Sequence, residues 1–185
     1  MSKAVLISIQ PKWCALIANG KKTIEIRKNK PNLETPFKCY IYCTKATELW
    51  LPYDNAQALH RGDGKIIGEF LCDKIFPINV FENGAIQDWN YHNLQSACVP
   101  YDDMAVYIGA GRTGRAWHIS DLIIYGTPKK LGEFMKPCEN DLYCEECAMY
   151  REFTEQCGNK ALVLSRSPQS WCYVEELPKG GTDNA

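Results

Sequence analysis

The apolar residues of this chain gather in short runs, and Gly, Pro or Asn cuts off most of them before a long helix can form. Val5-Leu6-Ile7-Ser8-Ile9, Phe37 to Thr44, Ala116 to Tyr125 and Ser170 to Glu175 are such runs, rich in the β-branched and aromatic residues that strands favour. Thr23-Ile24-Glu25-Ile26-Arg27 alternates polar and apolar, the two-residue period of a half-buried strand. Lys65 to Ile78 reads as a long strand or a bent pair. In Phe37 to Thr44 the same period puts Tyr40 and Tyr42 on one face and Cys39, Ile41 and Cys43 on the other. Helical spacing is brief: Pro11 opens it, Trp13, Leu16 and Ile17 carry it, and Asn19-Gly20 stops it. Pro100 to Ala110 fits a second short helix, and Pro128 to Phe134 a turn or short helix. Lys45 to Gly64 reads as a long loop, and Asn79 to Pro100 matches no template. Many short strands with few short helices predict a mainly β domain (α+β) closed or nearly closed into a barrel.

A chain of 185 residues suits one domain. We expect it to span residues 1–177, followed by a Gly-rich flexible tail at 178–185. No stretch approaches the roughly 18 consecutive apolar residues of a membrane helix. The first residues lack the apolar core and cleavage site of a signal peptide. A cytoplasmic location without membrane contact is therefore expected. The formal net charge is −1, against the basic excess of proteins that coat long nucleic acids. The charge is uneven, however: five basic residues and one acid fall between Lys21 and Lys30. A local patch of that kind fits a single nucleotide or small anion better than a long duplex.

In a reducing compartment, ten cysteines read as core thiols, metal ligands or catalytic groups rather than disulfides. Cys14, Cys39, Cys43, Cys72 and Cys98 sit among apolar neighbours and read as core residues. Cys138, Cys144, Cys147 and Cys157 follow the spacing C-x5-C-x2-C-x9-C inside an insert at about 135–169. The central C-x2-C is a close chelating pair, and the outer two could complete a tetrahedral structural zinc site. Glu139, Asp141, Glu145 and Glu146 oppose a further anionic cluster unless the metal's own charge offsets them. Plain reduced thiols and a redox pair remain the alternatives, and no organic cofactor is expected.

The segment Gly20-Lys21-Lys22-Thr23-Ile24-Glu25-Ile26-Arg27 resembles the ASCH signature G-x-K-x-x-E-x-R, at Gly20, Lys22, Glu25 and Arg27. Its place after a strand and a Pro-initiated helix fits that family. Gly64-Lys65-Ile66-Ile67-Gly68-Glu69-Phe70 is similar to the family's central strand, and Trp117-His118-Ile119-Ser120 to a late aromatic strand. The resemblance covers about residues 3–134 and the last strand, and leaves out the cysteine insert. It implies a PUA-like β-barrel with a cleft associated with RNA binding.

The residues themselves agree in part. Thr23, Glu25 and Arg27 share one strand face, with Glu25 and Arg27 about 7 Å apart along the chain and within reach of each other. Lys22 is expected in the preceding turn, where its stem can swing toward the cleft. Trp13, Tyr42, Trp117 and Trp171 lie in elements that could line a base-binding cleft, where stacking contributes about 1–3 kcal/mol per base. His118 and Glu69 are further ligand-binding candidates.

Some proteins similar to this family hydrolyse an acylated cytidine nucleoside with a Lys, a Thr and a Glu. Lys22 matches the Lys, the Thr position falls on Glu25, and Glu69 is a candidate for the Glu. A working variant would use Lys22 as base or nucleophile and Glu25 to orient it, with Arg27 holding a phosphate or oxyanion. Three classes follow: an RNA-related nucleobase or nucleotide binder, an amidohydrolase on a modified nucleoside, and a zinc-stabilised module for a protein partner.

Overall fold

A computed structural model describes residues 2–45, 63–87, 89, 91–138, 150–151 and 156–177. Strand β1 (Lys3–Ile9) leads into helix α1 (Pro11–Ala18), followed by β2 (Ile24–Arg27) and β3 (Phe37–Cys43). Then come β4 (Lys65–Asn79), α2 (Tyr91–Ala97), α3 (Tyr101–Ile108) and β5 (Thr113–Lys129). A 3-10 turn (Leu131–Glu133), the two-residue strands β6 (Tyr150–Arg151) and β7 (Gln156–Cys157), a second 3-10 turn (Lys160–Leu162) and β8 (Trp171–Glu175) complete the order. The class is the expected one: mainly β, with short helices.

Six strands form one sheet in the order β2-β5-β4-β3-β1-β8. Among the described strands of this sheet, β1 and β3 run parallel and the other neighbours antiparallel. β4 matches the long strand expected from Lys65 to Ile78, β5 extends past the expected Ala116 to Tyr125 at both ends, and their ladder shifts register between Ile66 and Gly68, Glu69 and Leu71, and Cys72 and Ile75. Such bulges bend a strand and sharpen its twist. At Gly68 the two backbones come so close that a Cβ would lie 2.3 Å from the Ile123 carbonyl oxygen.

The bending curls the sheet on itself. β5 and β8 are four ladder steps apart, roughly 19 Å in a flat sheet at about 4.8 Å per step. Yet Trp117 on β5 and Trp171 on β8 have ring centroids 6.1 Å apart. Val5, Ile7, Cys39, Ile41, Phe70 and Trp117 fill the inner side, with Cys14 and Ile17 of α1 packed against them. Outside, α2 and α3 cover β2, β5 and β4 through Ala97, Met104 and Ile108. A second outer cluster joins Leu6, Tyr40, Tyr42 and Ile66 to Phe134 and Leu164 from the later chain.

α2 occupies the stretch that matched no template. Of the described side chains in its seven residues, YHNLQSA, Leu94 and Ala97 join the core, too few for a visible helical period. Residues 46–62, most of the expected long loop, lie outside the described residues, as does the tail at 178–185.

Candidate functional site: a buried ionic triad at the floor of a cleft

α1 ends at Asn19, and Gly20 takes φ +71°, a conformation that costs glycine nothing. The chain folds back so that the amides of Lys21 and Lys22 both donate to the Leu16 carbonyl. The Thr23 amide then donates to the Ser96 carbonyl in the last turn of α2, and the Thr23 carbonyl accepts from the Ile119 amide on β5. This pins Lys22 in the turn before β2 begins, where its side chain turns inward, free of the alternation that would have put it on the opposite face of a longer strand.

Lys22 is only 1% exposed. Its ammonium donates to the Ala97 carbonyl at 2.6 Å and lies 3.3 Å from Glu25 Oε2. It also stands 5.2 Å from the centre of the Trp13 ring, within cation–π reach. Glu25 pairs in register with Trp117, which directs its carboxylate to the inner side of the curled sheet. Its Oε1 meets Arg27 Nη2 at 3.0 Å. Arg27 Nη2 also donates to the Ser8 carbonyl at 2.7 Å, and Nη1 to Ser170 Oγ at 3.3 Å. Among the described residues, Arg27 Nε has no hydrogen-bond partner although it is buried.

Two cations thus share one carboxylate, leaving one formal positive charge in a place nearly closed to water. Desolvating each ion costs several kcal/mol, which only close pairing offsets. The triad forms the floor of a cleft of about 520 Å³, walled by Trp13, Tyr107, Ser170, Thr44, Lys12 and Asp103 among others. Lys12 lies 4.5 Å from the centre of the Trp13 ring, and Lys28 5.2 Å from that of Tyr107. Burial, opposed by the charge of Arg27 and reinforced by that of Glu25, raises the Tyr107 phenol above its ordinary value, so it stays a neutral donor.

The expected site residues divide. Trp13, Lys22, Glu25 and Arg27 come together in the cleft. Tyr42, Glu69, Trp117 and His118 do not line it. Tyr42 is buried in the outer cluster with Leu6 and Ile66. Glu69 pairs with Tyr40 in the ladder, on that same outer face, where it meets Lys38 at 3.3 Å and accepts from the Tyr125 hydroxyl. Trp117 is fully buried beside the triad, edge-on to Phe37 at 5.7 Å, and its indole N–H has no partner among the described residues. His118, one residue further on, turns to the opposite face and bonds Asp73 through Nδ1 at 2.6 Å. Partial burial alone would raise the Asp73 carboxyl, but the hydrogen bond and charge of His118 outweigh it and hold it below its ordinary value. Trp171 donates to Asn29 Oδ1 outside the cleft.

Ser8, Ser170, Asp103, Tyr107 and the Ala97 carbonyl complete the site without having been expected. A polar residue within the apolar run Val5 to Ile9 was the one signal for Ser8. Asp103 and Tyr107 stand four residues apart, hence on one helix face, away from the inward Met104 and Ile108. Of the expected metal ligands, Cys138 is a free thiol, while Cys144, Cys147 and the side chain of Cys157 lie outside the described residues. No group of three or more His, Cys, Asp or Glu that could hold a metal occurs among the described residues. No described helix is long and apolar enough to cross a membrane.

The curled, mainly β sheet thus carries a cation-rich cleft lined by residues of α1, β2 and α3. The ASCH domain family's model matches residues 7–87, a span that includes the whole triad. Among solved structures it is similar to the ASCH protein of Zymomonas mobilis, at 18% identity and a TM-score of 0.51, over 94% of this chain and 88% of that one. A single-substitution variant of that protein aligns with a TM-score of 0.48 at 17% identity, over 95% and 92%. No curated protein matches the chain by sequence.

Proposed function

We propose that the chain binds a nucleobase or single nucleotide of RNA, modified or unmodified, in the cleft above Lys22, Glu25 and Arg27. One observation carries this reading. Three charged side chains, each at least nine-tenths buried, converge on the floor of the cleft and leave an excess positive charge there. A fold does not retain such a desolvated group cheaply, which marks the triad as a functional-site candidate. Trp13 offers a stacking face, the guanidinium and Tyr107 offer donors, and Glu25 and Asp103 offer acceptors. A cleft of this volume falls in the range of pockets that enclose a small ligand. Association of the ASCH domain with nucleic acids agrees with that chemistry.

The second reading is an amidohydrolase acting on a modified nucleoside. It is favoured by the contact of Lys22 with Glu25, the arrangement a base and its orienting carboxylate require. The Thr of that constellation is replaced by Glu25, although Thr44 and Ser170 supply hydroxyls to the same cleft. The discriminating experiment is a panel of free, phosphorylated and N-acylated nucleosides, assayed for binding by calorimetry and for turnover by chromatography. Binding without turnover supports the first reading, turnover of an acylated member supports the second, and neither on a folded protein overturns both.

A further inference from the structure

The cations that follow the triad in sequence take no part in the cleft floor. β2 ends at Arg27, and Lys28 and Lys30 beyond it are exposed. Among the described residues, neither meets a carboxylate within ion-pair distance. Lys28 instead holds its ammonium 5.2 Å from the centre of the Tyr107 ring. Tyr107 belongs to two places at once: it lines the cleft, yet it is 41% exposed. An aromatic ring with a cation over it therefore stands at the rim, next to the cavity that holds the triad.

We propose that Tyr107 and Lys28 form a second nucleotide seat at the rim, so that the ligand is a single-stranded RNA segment of at least two nucleotides and not a free nucleotide. This rests on the reading that the cleft itself takes one nucleotide. The neighbouring base stacks on the exposed part of the Tyr107 ring, and the phosphate joining the two nucleotides lies against the Lys28 ammonium. An exposed ammonium holds a phenol ring more weakly than a stacked base does, so Lys28 yields the ring face, and its flexible stem keeps it beside the phosphate. Asp103 stands one turn before Tyr107 on α3 and also lines the cleft. Its charge opposes a phosphate on that side of the ring and directs the backbone toward Lys28 and Lys30. A net charge of −1 and so short a run of cations fit contact with a few phosphates, not a track along a duplex.

The test is calorimetry of the full chain with the four ribonucleoside 5′-monophosphates and the matching 5′-phosphorylated homodinucleotides. The dinucleotide of the preferred base should bind roughly 5- to 100-fold more tightly than its monophosphate, the worth of one stacked base. Tyr107→Ala should erase that ratio, and Tyr107→Phe should keep it. Lys28→Ala should reduce the salt slope of dinucleotide affinity by about 0.7, one phosphate contact of a single strand, and Lys28→Arg should restore it. Lys28 is exposed, so its substitution tests the seat even where Tyr107→Ala fails to fold. Equal affinities for monophosphate and dinucleotide, a ratio that survives Tyr107→Ala, or a salt slope unchanged in Lys28→Ala would overturn the second seat while the cleft reading stands. Binding of no monophosphate and no dinucleotide would overturn the cleft reading and the second seat with it.

Discussion

Arg27 Nη2 donates to the carbonyl oxygen of Ser8 at 2.7 Å, a bond that joins β2 to β1 across the interior of the curled sheet. In the ladder these strands are four places apart. The guanidinium therefore has two tasks: it closes the curled sheet by a side chain where no backbone ladder does so among the described residues, and it pairs Glu25 at the cleft floor.

Removing it should affect both. Arg27→Ala is expected to cost about 3–5 kcal/mol, the range for breaking a buried ion pair, and to lower Tm by roughly 6–20 °C. Arg27→Lys should recover part of the stability, but a point charge cannot replace the planar fork that reaches Ser8, Ser170 and Glu25 together. Thermal denaturation of both variants checks this. Equal and unchanged melting points would show that the guanidinium does not close the sheet.

Lys22→Met keeps the buried stem and removes the ammonium. Under the binding reading, affinity for a phosphorylated ligand should fall by about 1.5–3 kcal/mol, and neither protein should turn ligand over. Calorimetry beside a product assay checks this. A wild-type activity that disappears in Lys22→Met while affinity persists would transfer the assignment to the amidohydrolase.

Gly68→Ala addresses the bend rather than the site. The added Cβ would press on the Ile123 carbonyl, which is backbone and has little room to yield. The expected destabilisation is about 1–3 kcal/mol, as for other overpacked positions. Urea titration would read it as a lower midpoint with the slope unchanged; an unchanged midpoint would contradict the close approach of β4 and β5.

Alkaline pH should weaken the fold. Burial pushes the Cys72 thiol up to about 12 and the Tyr40 phenol up to about 12. A group raised in the folded state keeps its proton there while the unfolded chain gives its proton up. The stability this represents is whole below the unfolded value, near 9 for the thiol and 10 for the phenol, and is lost as pH rises toward 12. Each such group contributes a slope of up to about 1.4 kcal/mol per pH unit in that window. Denaturation midpoints under reducing conditions should therefore fall between pH 9 and 11 and stay nearly level from 7 to 8.5. A flat profile through pH 11 would contradict the buried, protonated thiols.

Sequence periodicity reached the triad because alternation puts Glu25 and Arg27 on one face, and because a glycine-ended helix lets Lys22 fold in beside them. The same alternation separates Trp117 from His118, so both could not face one cleft. It also sets Tyr42 and Glu69 on one face of neighbouring strands without saying which face looks inward. That choice depends on the curl, and the curl comes from register shifts in β4 and β5 that leave no mark in composition. The far wall of the cleft was least legible. Asp103 and Tyr107 enter through the packing of α3, and the Ala97 carbonyl through a helix with no apolar period.

The most direct measurement of the central claim is an amide-shift titration of the isotope-labelled chain with ribonucleoside monophosphates. Binding in the cleft predicts saturable shifts at Ser8, Trp13, Lys22, Glu25, Arg27 and Tyr107, with Glu69 and His118 unmoved. No shifts at millimolar ligand, or shifts centred on Glu69 and the outer face, would contradict it.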